Sequence, residues 1–298
     1  MLKRLIARGK TELHTRSVPA SAAPAAAANG SEAAAMASAS ASSSSKMPAP
    51  PIVAVLSAKG GAGATTIAVN LAAVLSSGGA ATTLVDANLQ QPDAAHVVGA
   101  EPVHSVMELL ARTAELDKQL FEACCTQIGG EQSTRLSLLS PPIDGQAAVT
   151  TTLSELAHCL AGIRSYRKCW VVDMPKHLDK HLVTLVDMCD RVLLVFEANV
   201  TGIATTQRWL SVFRELGYAD DRIMCVLNRA GSKYSGIEQQ LDTCFPSRPI
   251  FRVPNASSVI WECSTRGVPV VAAYPNHAYS RAIGKLAEQV TASISIVR

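Results

Sequence analysis

The sequence predicts an α/β fold in which a mostly parallel sheet carries helices on both faces, as a single domain after an N-terminal segment. Three observations support this. Short apolar runs alternate with segments of helical spacing, as in Pro51–Ser57 and Thr65–Leu75. The runs are continuously apolar, which is typical of strands buried on both faces. Hydrophobic residues make up 48% of the chain but aromatics only 4%, so the core is predicted to be mainly Ala, Val, Leu and Ile.

The elements follow in order along residues 51–298. Strands are predicted at 51–57, 81–85, 136–139, 170–172, 190–196, 222–227 and 249–253. Helices are predicted at 65–75, 106–110, 115–123, 152–163, 202–216, 237–244 and 280–294. The last helix carries few cations, so we expect it to pack on the domain and not on a membrane. Because parallel sheets bind ligands at the carboxyl ends of their strands, residues that follow a strand are the candidate site residues.

Residues 1–50 differ from the rest. Residues 18–50 are rich in Ala, Ser and Pro and are predicted to be a flexible low-complexity segment, because they contain too few large apolar side chains to form a core. Residues 1–10 have two interpretations, a short cationic amphipathic helix that anchors the chain or a frayed terminus. The predicted domain boundary is therefore residue 50.

Bulk properties exclude several classes. The formal net charge is +3, without a block of like charges, so no direct nucleic-acid binding is expected. No apolar run is long enough for a membrane span, and residues 1–10 are not followed by the apolar segment of a secretory signal. The chain has eight cysteines and no CxxC pair, so buried free thiols in a reducing cytosol are expected.

The segment Ser57–Thr66, SAKGGAGATT, is the most informative. Its glycines allow a tight turn that aims backbone N–H groups inward, and the helix that follows adds a positive dipole end. Thr65 lies where a phosphate loop carries its Mg²⁺-binding hydroxyl. The general pattern GxxxxGK followed by Ser or Thr is not met, because Ala58 and Ala64 replace its first Gly and its Lys. From these residues alone, a glycine-rich turn without a ligand remains an alternative.

Polar residues follow three other predicted strands. Asp86 and Asp173 are candidate site residues because each ends a predicted strand, with a strand-end cap as the alternative for Asp173. Asn228 has an amide that suits the adenine edge, or it is a turn residue. Asp93 is a candidate switch residue or helix N-cap. His177 and His181 have i, i+4 spacing, but we favour surface histidines over a metal pair.

The loop is similar to the KGGxGxTT deviant Walker A motif of the ParA/MinD group of P-loop NTPases. Within that group, Ala64 in place of the usual lysine, the stretch Leu84–Ala95 (LVDANLQQPDAA) and the stretch Trp170–Asp179 (WVVDMPKHLD) resemble the TadZ/CpaE pilus-assembly ATPases. The resemblance covers about residues 52–292, which is nearly the whole predicted domain.

The resemblance implies ATP and Mg²⁺ as cofactors. It implies that the metal ligands are Thr65, Asp86 and Asp173, and that the catalytic residues are Lys59, Asp86 and Asp173. The nucleotide-binding residues that it implies are Lys59, Gly60, Gly61, Ala62, Gly63, Ala64, Thr65, Thr66, Asn228, Arg229 and Pro254.

The resemblance also implies a homodimer that sandwiches ATP, with Lys59 reaching the partner's phosphates. It implies a protein that organises assembly of a type IVb (Tad/Flp) pilus or secretion machine. Its expected location is cytoplasmic, with association to the inner face of the cell membrane or a cell pole. Pilus or secretion assembly proteins at the inner membrane are the expected partners, and any membrane contact is expected to be indirect.

Hydrolysis is expected to be slow or absent, because Ala64 and Asn88 replace the usual lysine and aspartate. Three alternatives stay open. The first is a ParA/MinD-type positioning ATPase for DNA partition or division-site placement. The second is an electron carrier like the iron protein of nitrogenase, and the third is a scaffold that binds no nucleotide.

Overall fold

The computed structural model describes residues 49–129, 135–142, 151–231 and 240–296. The predictions for residues 1–10 and for nearly all of the low-complexity segment lie outside the described residues. Within the described residues, no helix is both long and apolar enough to cross a membrane.

An eight-stranded sheet forms the centre of the described fold. Its strands are β1 (Ile52–Ser57), β2 (Thr82–Asp86), β3 (Thr126–Gln127), β4 (Leu136–Leu139), β5 (Cys169–Met174), β6 (Arg191–Glu197), β7 (Ile223–Ala230) and β8 (Ile250–Pro254). The strand order is β3-β4-β2-β5-β1-β6-β7-β8, and every neighbouring pair is parallel except β3 and β4. The carboxyl ends of β1, β2, β5, β6 and β7 therefore meet at one edge of the sheet.

The helices of the described residues lie between these strands in the chain or follow β8. They are α1 (Ala64–Ser77), α2 (Ala94–Val97), α3 (Val106–Ala111), α4 (Lys118–Cys124), α5 (Leu153–Ile163), α6 (Lys180–Asp187), α7 (Val200–Glu215), α8 (Leu241–Cys244), α9 (Ser257–Thr265), α10 (Val270–Ala273) and α11 (Ala278–Ile296).

Strand β1 shows how both faces of the sheet are covered. Ile52, Ala54 and Leu56 point into a core that is completed by α3 to α8, whereas Val53 and Val55 point into a second core formed mainly with α1 and α11. All five side chains are buried. This two-sided burial explains the continuous apolar runs, and the predicted fold class is confirmed.

Helix α11 packs on the domain, as predicted. Tyr279, Ile283, Leu286 and Val290 are fully buried on the face that lies in the second core, with α1 as a neighbouring helix. The apolar stripe of this helix is therefore used within the described fold.

Four helices were not predicted: α2 and α10, which have four residues each, and the longer α6 and α9. Helix α6 is short, and its start is fixed by the Asp179 carboxylate, which accepts a hydrogen bond of 2.7 Å from the Leu182 N–H. Helix α9 buries only Cys263 fully, so its apolar period is weak. The helix predicted at 237–244 appears as α8 only from Leu241, because residues 237–239 lie outside the described part.

Candidate nucleotide-binding site

The glycine loop joins β1 to α1 and makes a turn that opens the helix. Gly61 and Gly63 have φ values of 83° and 89°, in the left-handed region that side chains with a Cβ rarely adopt. Gly63 is the N-cap of α1, so the first N–H groups of this helix face the loop. The arrangement provides backbone donors and a positive dipole end, which suit a phosphate.

Position 64 brings no charge to this loop. The Ala64 side chain is buried against the second core. Lys59, the early lysine of the loop, is exposed, and its Nζ donates a 2.9 Å hydrogen bond to the Thr201 Oγ1 at the start of α7. The lysine that is predicted to reach a partner subunit is thus held within its own chain here.

Asp86 and Asp173 are brought together at the ends of neighbouring strands. They are register partners of β2 and β5, and both carboxylates are buried. The Asp86 carboxylate accepts hydrogen bonds of 3.0 Å from the N–H groups of Asn88 and Ala94. The first turn of α1 also acts on this cluster, because hydrogen bonding by the Thr65 side chain opposes the rise in the pKa of Asp173.

The electrostatics of this pair are unfavourable in the absence of a cation. Burial raises the pKa of Asp86 from 3.8 to about 6, against the effect of its two backbone donors. Burial, and then the charge of Asp86, raise the pKa of Asp173 well above its usual value. The charge of Asp93 also raises the pKa of both groups. A divalent cation with hard oxygen ligands would relieve this cost, so the residues present fit Mg²⁺.

Asn88 and Asp93 have local structural roles. The Asn88 amide donates a 2.5 Å hydrogen bond to the Gln91 carbonyl oxygen within the turn that follows β2. Asp93 stands at the N-cap position of α2, as one of its two interpretations required, but its side chain makes no capping hydrogen bond. Its contribution to the site is the negative charge that it adds near Asp86.

Asn228 lies against the glycine loop. Its Nδ2 donates a 2.8 Å hydrogen bond to the Ala62 carbonyl oxygen, and its Oδ1 accepts one of 2.9 Å from the Arg229 N–H. Arg229 itself forms an ion pair with Glu197. Contact of Asn228 with a base therefore remains a prediction, since both ends of its amide are engaged by the chain in this structure.

The remaining predicted site residues also lie near the carboxyl ends of the strands. Pro254 ends β8 beside Ala230, close in register to the end of β7. Gly60 and Thr66 complete the loop and the first turn of α1. Sequence reasoning missed two residues, Lys176 and Thr201. No sequence signal indicates either residue, because each comes close to the loop only through a tertiary contact, Lys176 near Gly60 and Thr201 with Lys59.

The two histidines with i, i+4 spacing contact different side chains. His177 lies 3.6 Å from an Asp179 carboxylate oxygen, and the His181 ring contacts the Ser154 hydroxyl at 2.9 Å. Among the described residues, no group of three or more His, Cys, Asp or Glu side chains is placed to hold a metal.

The cysteines are free thiols, as expected. Six of the eight are buried and two, Cys125 and Cys244, are half-buried. Burial raises the pKa of buried thiols such as Cys169 and Cys189 to about 12, so they are unreactive at neutral pH.

A glycine loop that opens a helix, a hydroxyl in that helix and two carboxylates at adjacent strand ends together define a P-loop nucleotide-binding protein. A family model described as ParA, NUBPL iron-transfer P-loop NTPase, matches residues 49–117, which include the loop and Asp86. The family match covers the glycine loop and the first carboxylate, and the proteins that the chain resembles include MinD and a ParA family ATPase.

Curated relatives are distant but extend over most of the described fold. The chain is 21% identical over 240 residues to an uncharacterized ATP-binding protein of Methanocaldococcus jannaschii, covering 80% of this chain and 86% of that protein. It is 22% identical over 184 residues to the septum site-determining protein MinD of Thermotoga maritima, covering 60% of this chain and 64% of that protein.

Solved structures share the fold. A ParA family ATPase of Chlorobium tepidum superposes with a TM-score of 0.73 at 22% identity, covering 80% of this chain and 99% of that one. MinD of Pyrococcus horikoshii complexed with Mg-ADP gives a TM-score of 0.69 at 22% identity, covering 81% of this chain and 96% of that one.

Proposed function

We propose that this protein binds ATP with Mg²⁺ at the glycine loop and that binding drives homodimerisation, as part of a positioning or assembly function. The observation that carries the proposal is the buried pair Asp86 and Asp173 beside the Thr65 hydroxyl. Two adjacent buried carboxylates are costly without a cation, and the glycine loop next to them is suited to phosphates.

Each part of the site has a role in this proposal. Thr65, Asp86 and Asp173 would hold Mg²⁺, which would neutralise charge on the phosphates. The loop from Gly60 to Thr66 would donate backbone N–H groups to the phosphate oxygens. The Mg-ADP bound to the Pyrococcus MinD supports the same pair of cofactors here. Asn228, Arg229 and Pro254 would border the base at the ends of β7 and β8.

Slow or absent hydrolysis is part of the proposal. Ala64 cannot place a cation on the phosphates, and the Asn88 amide cannot accept a proton from an attacking water. This amide is also bonded to the Gln91 carbonyl oxygen, so it belongs to the turn. Lys59 from a partner subunit and Asp86 and Asp173 would be the remaining groups that favour the reaction.

The first test is Asp173→Asn, measured by calorimetric titration with ATP in the presence and absence of Mg²⁺. We expect the variant to lose most Mg²⁺-dependent affinity, about 10-fold or more, because one charge-assisted metal contact is gone. We expect the nucleotide-free variant to be more stable than wild type to heat, because a buried like-charge pair has been removed. Exposed Asp221→Asn, at the other edge of the sheet, is the control.

Two outcomes would contradict the proposal. Wild-type protein that binds no ATP with Mg²⁺ would refute the nucleotide site itself. Wild-type turnover of about 1 s⁻¹ or faster in a single-turnover assay would refute slow hydrolysis.

The finer proposal is that the dimer organises assembly of a type IVb pilus or related secretion machine from the cytoplasmic side of the membrane. It is supported by the combination of Lys59 with Ala64 and by the KHLD sequence at residues 176–179 after β5, which resemble TadZ/CpaE proteins. Pilus or secretion assembly proteins at the inner membrane would be its partners.

The second candidate is a positioning ATPase of chromosomes, plasmids or the division site. The matches to MinD and to a ParA family ATPase favour it. A deletion strain distinguishes the two candidates. Lost pili with normal division and segregation support the pilus function, whereas normal pili with misplaced septa or lost plasmids support the second candidate.

A further inference from the structure

Lys176 follows β5 by two residues and reaches back over the glycine loop. A Cβ atom placed on Gly60 would lie 3.5 Å from the Lys176 Nζ and 3.6 Å from its Cδ. The side chain therefore runs along the loop, and its charged end lies close to the backbone that is proposed to face the phosphates. Both distances are ordinary van der Waals contacts, so the side chain lies directly against the loop at this position.

Lys176 differs from the other two cations around this loop. Lys59 is hydrogen-bonded to Thr201, and Arg229 is paired with Glu197. Among the described residues, no hydrogen bond or ion pair to Lys176 is found, and its side chain is exposed. Its positive charge nevertheless acts on the two buried carboxylates, since it opposes a part of the rise in the pKa of Asp173.

We propose that Lys176 supplies in cis the phosphate-binding positive charge that Ala64 has removed from the loop. This inference rests on the proposed ATP site. The general motif places that lysine in the first turn of the helix after the loop, where this chain has a buried alanine. Lys176 brings an ammonium to the same loop from the segment that follows β5.

The geometry explains how this chain can bind a triphosphate with an uncharged position 64. The loop N–H groups and the dipole of α1 provide partial charges only, whereas a triphosphate carries several full negative charges. An ammonium on a flexible stem can follow the phosphates without a fixed bidentate geometry, and an exposed lysine without a competing carboxylate partner loses no ion pair in doing so.

The test is calorimetric titration of ATP and adenosine, with Mg²⁺, against wild type, Lys176→Gln, Lys176→Arg and the control Lys168→Gln. Lys168 is also exposed and precedes β5, at the end of this strand that lies away from the loop. Its substitution therefore changes the net charge by the same amount without changing the charge at the loop. We expect Lys176→Gln to weaken ATP binding by about 10- to 100-fold and to leave adenosine binding unchanged. Lys176→Arg and Lys168→Gln should bind ATP within about 3-fold of wild type.

Restoring the lysine of the general motif provides a second arm. In an Ala64→Lys background, we expect Lys176→Gln to cost less than about 3-fold in ATP affinity, because the charge at the loop is then supplied from position 64. If Lys176→Gln weakens ATP binding by the same factor with Ala64 and with Lys at position 64, then Lys176 does not take the place of the lysine of the general motif.

The failures are distinguishable. Wild-type protein that binds no ATP refutes the proposed function. If wild type binds ATP and Lys176→Gln binds it with the same affinity, the role of Lys176 is refuted and the proposed function stands. Thermal melting of each variant confirms that a lost affinity does not come from unfolding.

Discussion

At the scale of single residues, Gly63 satisfies two independent requirements. Its φ of 89° costs a residue with a Cβ about 1–2 kcal/mol. In addition, a Cβ on Gly63 would lie 2.4 Å from the Asn228 Nδ2, whose hydrogen bond to the Ala62 carbonyl oxygen holds β7 against the loop. Gly61 has a similar φ of 83° but open space around its Cβ position, so it meets only the first requirement.

The two glycines therefore form a matched pair for mutation. We expect Gly61→Ala to lower the free energy of unfolding by about 1–2 kcal/mol, and Gly63→Ala to lower it by at least about 1 kcal/mol more and to abolish tight ATP binding. Urea denaturation and ATP titration measure both effects. Asn228→Ala in the Gly63→Ala background should recover part of the extra loss, and equal losses in the two single variants would show that the contact with Asn228 does not matter.

At the scale of elements, Arg167 fixes the half of the sheet that carries the two carboxylates. This buried side chain precedes β5 and pairs with Glu122 of α4 through hydrogen bonds of 2.5 and 2.7 Å. Its Nε donates to the Thr83 hydroxyl of β2 at 3.0 Å, and its guanidinium carbon lies 4.6 Å from the centroid of the Phe121 ring. One side chain thus ties together two strands and a helix.

Removing this pair should weaken the domain in a pH-dependent way. The hydrogen bonds from Arg167 lower the pKa of Glu122 below 4.5, so the pair stabilises the fold above that pH and its contribution is lost as the pH falls further. Because the Glu122 side chain is 39% exposed, we expect Glu122→Gln to cost only about 1 kcal/mol at pH 7.

Urea denaturation at pH 7 and at successively lower pH checks this expectation. The difference between wild type and Glu122→Gln should shrink below pH 4.5, and the exposed Glu115→Gln should have little effect at any pH. A difference that stays constant with pH would contradict the assigned role of the ion pair.

The same elements show what the sequence can predict and what it cannot. Continuous apolar runs located every strand of the described residues except the two-residue β3, and the residues that follow the predicted strands included Asp86, Asp173 and Asn228. The adjacency of Asp86 and Asp173 depends on β5 lying between β2 and β1, which no local pattern encodes. The contact of Lys176 with Gly60 likewise arises from the path of the chain after β5 and has no period or motif that indicates it.

At the scale of the whole molecule, the proposed dimer requires a local rearrangement. Lys59 is held by the Thr201 Oγ1, whose hydroxyl in turn donates to the Asn199 side chain that caps α7. A lysine that binds phosphates of a partner subunit must leave this contact, so a monomer in this arrangement and the ATP-bound dimer compete for one side chain. Exchange of one exposed hydrogen bond for a charge-assisted one favours the dimer only when ATP is present.

This competition can be measured by light scattering of the full chain with and without ATP and Mg²⁺. We expect Lys59→Ala to bind ATP within about 10-fold of wild type but to lose ATP-dependent dimerisation, because its ammonium acts across the interface. Thr201→Val removes the contact within the monomer and keeps Lys59, so it should dimerise at least as readily as wild type. If Thr201→Val loses ATP-dependent dimerisation as Lys59→Ala does, Lys59 acts by positioning α7 and not by reaching a partner subunit. If Lys59→Ala dimerises as wild type does, the proposed sandwich arrangement is wrong.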